Sequence, residues 1–304
     1  MRNKLKTFAV VLLMVLMVIS LISCGTADEK SLVVGSKNFT EQRILGYIMI
    51  ELLENQGFTC RDSTGLGGTL VARNALENRQ IDIYMEYTGT GLITILKHDT
   101  PITDPQECYE TVKAEDFEKN NMVWLPYMSF NNTYCLLMQR EKAAKLGIKT
   151  LSDLAAYAEA NPDNIIFGTN EEFYARPDGY KPLQETYGFE FPDRQIKKMS
   201  PGLLYQGLRD GQLDVAMGFA TDGRIKGFDL VVLEDDKNFF PVYNPAPVVH
   251  KETVEKYPAL ETIFIKLGEI LNTEDMTLLN YQVDVERKSP RNAASEWLKS
   301  VGLI

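Results

Sequence analysis

The residue types that most often carry catalysis are few and scattered in this sequence. The two histidines, His98 and His250, are isolated, and the chain contains neither a G-x-S-x-G nor an H-E-x-x-H motif. The glycine-rich run at residues 65–69 is not followed by Lys-Ser/Thr, so it is no phosphate-binding loop. No C-x-x-C spacing indicates zinc. We therefore expect no enzyme, no metal and no cofactor.

Aromatic side chains, by contrast, are plentiful. The 304 residues include 14 Tyr and 14 Phe, against two His and two Trp. This balance favours recognition by aromatic rings over histidine-based catalysis. The net charge of −10 argues against a nucleic-acid partner, because phosphate binding needs a basic surface. The length and the 44% hydrophobic content fit one large or two medium globular domains.

The first segment of the chain has the pattern of a targeting signal. Arg2, Lys4 and Lys6 precede an apolar run from Phe8 to Ile19, which is short for a membrane span. The run leads to Leu-Ile-Ser-Cys ending at Cys24, which resembles the lipobox of bacterial lipoproteins. This predicts a signal peptide at 1–23, lipidation of Cys24 and a tether at 24–30. The alternative is an ordinary cleaved signal with a chance cysteine.

Three further cysteines, Cys60, Cys108 and Cys135, follow this segment. An odd number in an oxidising compartment leaves at least one thiol unpaired. One disulfide is possible, and the sequence does not choose the pair.

The rest of the chain reads as two versions of one plan. Residues 75–90 align without gaps to 207–222, with Asp82 matching Asp214 and Tyr87 matching Phe219. Each copy reads strand, helix, strand, helix, strand, which predicts α/β units with largely parallel strand pairing. Two such lobes would bind a ligand in the crevice at the carboxyl ends of their strands.

Local patterns place several elements within this plan. Ile44 to Gln56 has helical apolar spacing, and Ile81 to Tyr87 alternates as a strand. The glycine-rich run at 65–69 is interpreted as a tight turn before a helix. The segment from Lys251 to Ile304 is expected to be helical and to pack on the first lobe.

Several longer strings resemble one known family. They are Val34–Gln42 (VGSKNFTEQ), Ile81–Thr90 (IDIYMEYTGT), Asn131–Tyr134, Glu172–Gly179, Thr221–Ile225 and Tyr243–Pro247. The family is the quaternary-amine, or osmoprotectant, substrate-binding proteins of ABC transporters, which bind glycine betaine, carnitine or choline. The resemblance implies an α/β type II periplasmic-binding-protein fold, with two lobes, a ligand cleft and two hinge crossings. By analogy, lobe 1 comprises residues 31–131 plus 244–304, and lobe 2 comprises 132–243.

The resemblance also implies an aromatic cage for the ligand. A quaternary ammonium has no N–H to donate, so aromatic faces are its natural receptor. The family's cage positions fall on four aromatic residues: Tyr87, Tyr134, Phe219 and Tyr243. The family commonly has Tyr at the position of Phe219, so here one hydroxyl is missing. Tyr84 and Tyr205 are the alternates.

A betaine also carries a carboxylate, and the family pattern places Lys37, Thr90 and Arg176 near it. Arginine grips a carboxylate with two hydrogen bonds, and lysine offers a point charge. Gln42 and Asn132 are further polar candidates. Threonine at position 90 favours glycine betaine or carnitine over choline. The alternative for the two cations is a surface salt bridge, which contributes little.

The resemblance finally implies partners and a location. The protein is expected to be a lipid-anchored monomer on the extracytoplasmic face of a bacterial cytoplasmic membrane, passing its quaternary amine to a permease with a separate ATPase. An amino acid or another small cation is the alternative cargo. A surface hydrolase or transferase is a third hypothesis, for which the sequence offers no nucleophile–base pair.

Overall fold

The computed structural model describes residues 30–304. The predicted signal peptide, Cys24 and most of the predicted tether lie outside the described residues. The ten strands are β1 Ser31–Lys37, β2 Thr59–Gly67, β3 Ile83–Tyr87, β4 Met122–Trp124, β5 Tyr134–Gln139, β6 Phe167–Thr169, β7 Ile196–Lys198, β8 Val215–Phe219, β9 Leu230–Val232 and β10 Pro245–His250.

Helices alternate with these strands and then close the chain. They are α1 Thr40–Asn55, α2 Thr69–Glu77, α3 Thr88–Thr90, α4 Pro105–Asn120, α5 Arg140–Leu146, α6 Leu151–Ala160, α7 Glu171–Ala175, α8 Tyr180–Tyr187, α9 Pro201–Arg209, α10 Arg224–Gly227, α11 Lys251–Lys256, α12 Ala259–Ile270, α13 Thr273–Asp284 and α14 Pro290–Ser300. A π-helical turn, Gly91–Ile95, continues α3.

Two five-stranded sheets form the cores of two lobes, as expected. The first sheet has the order β2-β1-β3-β10-β4 and the second has the order β7-β6-β8-β5-β9. The chain crosses between the lobes twice, from β4 to β5 and from β9 to β10. The expected boundaries, 131/132 and 243/244, fall within these two connections and stay a prediction.

Matching contacts in the two lobes agree with the repeat. Val33 donates its backbone N–H to Asp82 (2.7 Å), and Ile166 donates its N–H to Asp214 (2.6 Å). Each aspartate thereby ties the strand that follows it to the neighbouring parallel strand, which is β1 in the first lobe and β6 in the second. Gly57 and Gly188 occupy equivalent positions, directly or one residue after α1 and α8. Both have positive φ, a backbone conformation that favours glycine.

The expectation of largely parallel pairing is wrong for half of each sheet. β1 pairs in parallel with β2 and β3, but β10 pairs antiparallel with both β3 and β4. The second sheet repeats this arrangement, with β5 as its antiparallel strand. The reason is topological, because β5 and β10 each enter their sheet directly after a crossing from the other lobe.

The C-terminal helices pack on the first lobe, as the sequence predicts. Apolar residues such as Phe264 and Trp297 join Ile44 and Leu45 of α1 in one buried cluster. The glycine-rich run, however, is not a tight turn. Residues 65–67 extend β2, and only Gly68 precedes α2, as its N-cap.

Two further observations concern the cysteines and the membrane. Cys60, Cys108 and Cys135 are free thiols in the structure. Within residues 30–304, no helix combines the length and the apolar character needed to cross a bilayer.

Candidate functional site

A cavity of about 430 Å³ lies between the lobes, where the strands of both sheets end. Its walls include seven residues that the sequence analysis singled out: Lys37, Tyr87, Thr90, Asn132, Tyr134, Phe219 and Tyr243. Further lining residues are Asn38, Phe39, Gly68, Asn170, Glu171, Glu172, Lys198, Met199, Ser200 and Pro201. Both lobes and both connections between them therefore contribute to one chamber.

The four aromatic cage candidates lie at strand ends or at a crossing. Tyr87 and Phe219 end the equivalent strands β3 and β8, and Tyr134 begins β5, directly opposite Phe219 in the antiparallel pair. The Tyr134 ring centroid is 5.3 Å from that of Phe219 and 5.3 Å from that of Tyr243, whose plane is perpendicular. Such edge and tilted contacts hold rings in fixed orientations.

A fifth ring, Phe39, was not singled out from the sequence. It is the N-cap residue of α1 and stacks on Phe219 with centroids 5.3 Å apart, and on Tyr87 at 6.3 Å. Phe39 belongs to the first lobe and Phe219 to the second, so this stack spans the cleft. The available signal was its position, two residues after β1, where an α/β strand delivers side chains to the cleft.

Lys37 is the last residue of β1, and its ammonium group is ion-paired and hydrogen-bonded in the structure. Its Nζ lies 2.6 Å from Glu86 Oε1, donates to Thr69 Oγ1 at 2.9 Å and stands 5.2 Å from the centroid of the Tyr87 ring. Glu86 is fully buried, so the pair satisfies two charges that would otherwise be costly to bury. Lys37 therefore presents a neutralised cation to the cavity.

Arg176 does not line the cavity but lies behind it. Its guanidinium makes two 2.7 Å hydrogen bonds to Asp178 and stands 5.4 Å from the Tyr134 ring centroid. Its Nη1 donates to Thr90 Oγ1 at 3.4 Å, and Asp178 also accepts the hydroxyl of Tyr243 at 2.5 Å. Arg176 thus supports the rings and orients the Thr90 hydroxyl that faces the chamber.

Gln42 and the two alternates also lie outside the cavity walls. Gln42 is fully buried and accepts the backbone N–H of Lys37 at 3.3 Å. Tyr84 points into the core of the first lobe and donates to Glu86 at 3.1 Å. The Tyr205 hydroxyl accepts the backbone N–H of Phe219 at 2.9 Å, so it fixes the end of β8 from behind.

A buried carboxyl, Glu41, connects the cage to both lobes and was not predicted. It is 3% exposed, and its Oε1 accepts Tyr87 Oη at 2.8 Å and Asn132 Nδ2 at 2.7 Å. Its Oε2 accepts Asn280 Nδ2 of α13 at 3.0 Å and the hydroxyl of Thr221 in the second lobe. Burial is the main influence on this group, and it raises the pKa of Glu41 above its ordinary value.

Glu172 lies in the cavity wall and was not predicted as a site residue from the sequence. Its Oε1 accepts the Thr69 hydroxyl at 2.5 Å and is 3.6 Å from Arg176 Nη1. Burial would raise its pKa, but the charge of Lys37, the Thr69 hydrogen bond and Arg176 lower it on balance. The cavity wall thus carries an ionised carboxylate, which suits a cationic ligand.

Comparison with known proteins identifies the family. Residues 30–300 match the model of the substrate-binding domain of ABC-type glycine betaine transport systems. The chain belongs to this family of ABC-transporter substrate-binding proteins. A glycine-betaine-binding protein of Pseudomonas aeruginosa is 42% identical, over 93% of this chain and 92% of its own length.

Two further similarities are relevant to the cargo. An ergothioneine transport permease/ergothioneine-binding protein of Helicobacter pylori is 39% identical over 93% of this chain, which spans about half of that longer protein. A crystal structure described as a glycine betaine/carnitine/choline ABC transporter has a TM-score of 0.73 and 32% identity, covering 90% of this chain and 99% of that one.

Family membership confirms several sequence predictions. The chain is an extracytoplasmic substrate-binding protein of an ABC importer for quaternary amines, it works with a permease, and it is not an enzyme. The two-lobed α/β fold is likewise that of its structural relatives.

Proposed function

We propose that this binding protein captures glycine betaine, carnitine or choline in a cage formed by Tyr87, Tyr134, Phe219 and Tyr243. The observation that supports it best is the convergence of these rings, from both lobes and from one crossing, on a single cavity. A methylated ammonium placed there meets π faces and loses no hydrogen bond, because it has none to donate. Phe39 completes the cage as a fifth ring.

The carboxylate of a betaine would be held at the Thr90 side of the chamber. Because Arg176 already donates to Thr90 Oγ1, the hydroxyl proton of Thr90 is available to the ligand. Lys37, whose charge is paired with Glu86, and Asn132 are further polar groups in the wall. Arg176 and Gln42 then act through Thr90 and Lys37, with no direct contact to the ligand.

A larger betaine, ergothioneine, is a second candidate. The cavity of about 430 Å³ lies in the range of pockets that enclose drug-sized ligands, and it extends past the rings to Asn170, Lys198 and Ser200. The similarity to the Helicobacter pylori protein supports the same candidate.

Isothermal titration calorimetry tests the ligand class. Glycine betaine, carnitine, choline and ergothioneine are titrated separately, and saturable binding of at least one is expected. Lysine and arginine, titrated alone and in competition, examine the alternative cargo of an amino acid or small cation. Absence of binding by all four quaternary amines would overturn the proposal.

The membrane attachment belongs to the same proposal. Residues 1–23 would be removed, Cys24 would carry the lipid, and residues 24–30 would tether a monomeric body to the membrane. Cys24→Ala is expected to release the protein from the membrane fraction of expressing cells, and light scattering should give the mass of one chain. Retention of the variant on membranes would contradict the lipid anchor.

A further inference from the structure

Two glutamates occupy the same place in the two lobes. Glu41 is the second residue of α1, which follows β1, and Glu172 is the second residue of α7, which follows β6. β1 and β6 hold equivalent positions in the two sheets. Both carboxylates therefore start from the first turn of a helix that begins at the cleft.

Each glutamate reaches across the cleft to a threonine of the opposite lobe. Glu41 Oε2 accepts the hydroxyl of Thr221, which lies two residues after β8. Glu172 Oε1 accepts the hydroxyl of Thr69, the first residue of α2, at 2.5 Å. In the first bond the accepting glutamate belongs to the first lobe, and in the second bond it belongs to the second lobe.

Both bridges also touch the cage. Glu41 binds the Tyr87 hydroxyl and the Asn132 amide, two groups of the cavity wall. On the other side, Thr69 accepts Lys37 Nζ, which stands over the Tyr87 ring. Glu172 itself lines the cavity. A change in lobe separation must therefore move residues that face the ligand.

We propose that Glu41–Thr221 and Glu172–Thr69 form a paired latch that holds the two lobes closed around the cargo. The latch rests on the proposed function only in naming the cargo. Hydrogen bonds that span the lobes exist only when the lobes are together, so they stabilise the closed state selectively. Any contact of this kind raises the apparent affinity for a ligand that binds the closed state.

Thr221→Val is the sharper test, because valine has nearly the shape of threonine but lacks its hydroxyl. The backbone carbonyl of residue 221 still accepts a hydrogen bond from Asn280. We expect its dissociation constant for glycine betaine to rise about tenfold, as for the loss of one buried hydrogen bond. Small-angle X-ray scattering should give a larger radius of gyration than the wild type, with and without ligand. Thr69→Val should act in the same direction, and the double variant further.

Two matched variants separate a latch from general damage. Thr221→Ser keeps the hydroxyl and should restore affinity and radius of gyration. Tyr187→Phe removes a hydroxyl that donates to Asp235 and accepts the Lys237 N–H, all within the residues 132–243 assigned to the second lobe, and it should leave both quantities unchanged. Thr69→Val is less clean than Thr221→Val, since it also takes an acceptor from Lys37.

The outcomes are distinct. Wild-type affinity and radius of gyration in the double variant would overturn the latch. A Thr221→Ser variant as impaired as Thr221→Val would also overturn it, and so would a Tyr187→Phe variant with the same effect as Thr221→Val. If no quaternary amine binds the wild type, the ligand proposal fails. The scattering of ligand-free wild type and Thr221→Val still decides whether the latch closes the lobes.

Discussion

The two lobes share one strand order, yet they treat their equivalent glutamates differently. Glu41 in the first lobe accepts hydrogen bonds from neutral donors, and its pKa is raised because burial dominates. Glu172 in the second lobe lies near Lys37 and Arg176, and its pKa is lowered against the effect of burial. A duplicated scaffold therefore fixes where a side chain starts, while its burial and its charged neighbours set the direction of its pKa shift.

Removing the rings at the ends of the equivalent strands β3 and β8 should have the largest effect on ligand affinity. Tyr87→Ala and Phe219→Ala should each raise the dissociation constant for glycine betaine by about tenfold or more, as loss of a desolvated cation–π contact predicts. Calorimetry measures affinity, and circular dichroism checks that the variants stay folded. Tyr134→Phe, which keeps its ring, is the control. Unchanged affinity in both alanine variants would refute the cage.

The second test uses a contact that α13 of the first lobe makes with the second lobe. A Cβ on Gly223 would lie 2.4 Å from the Tyr281 backbone, whereas one on Gly202 would meet only the end of Arg224 at 3.2 Å. Gly223→Ala should therefore hold the lobes apart, raising the radius of gyration and weakening glycine betaine binding about tenfold. Gly202→Ala should change neither. Equal behaviour of the two variants would remove α13 from the account of closure.

The third test compares how the two glutamates contribute to stability as the pH changes. A raised pKa means that Glu41 stabilises the fold fully below its ordinary value of 4.5, and that this stabilisation is lost as pH rises through the raised pKa. The lowered pKa of Glu172 gives stability above 4.5 that is lost as pH falls through the lowered value.

Thermal unfolding of Glu41→Gln and Glu172→Gln between pH 3 and pH 8 measures the two effects. The melting temperature of Glu41→Gln relative to wild type should rise with pH. That of Glu172→Gln should be lowest relative to wild type at neutral pH, and it should approach wild type in acid. Slopes of the same sign would contradict the assigned environments.

The smallest expected effect concerns selectivity. Thr90→Val should raise the dissociation constant for glycine betaine about threefold to tenfold, because the ligand carboxylate loses one hydroxyl donor. Choline has no carboxylate, so its affinity should change less than twofold. Calorimetric titration of both ligands into one preparation gives the ratio directly. An equal loss for both would place the betaine carboxylate elsewhere.

The sequence predicted the order of elements better than their pairing. The repeat around Asp82 and Asp214 and the C-terminal helices were correctly anticipated, because apolar periodicity and turn residues are local signals. The antiparallel strands β5 and β10 were missed, since strand direction depends on which lobe the chain has just left. The predicted turn at 65–69 became mostly strand, because pairing with β1 outweighed the glycines.

The site shows the same division. The resemblance named the four cage rings, and they line one cavity. Phe39 stayed unassigned because its position after β1 does not by itself distinguish a cleft residue from a core residue. Glu172 was not assigned to the site, because an acidic pair beside a helix start usually faces water. Its partner Thr69 is 103 positions away in the chain.

By itself, the sequence determined the duplicated α/β plan and the family, and it predicted which aromatic rings face the cleft, since each is written in a local pattern or string. Only the tertiary structure decided which charges are already neutralised, with Lys37 on Glu86 and Arg176 on Asp178, and which hydroxyls meet Glu41 and Glu172. The physical reason is that burial and hydrogen bonding depend on distances in space. Across two lobes, those distances are set by how the halves close on each other.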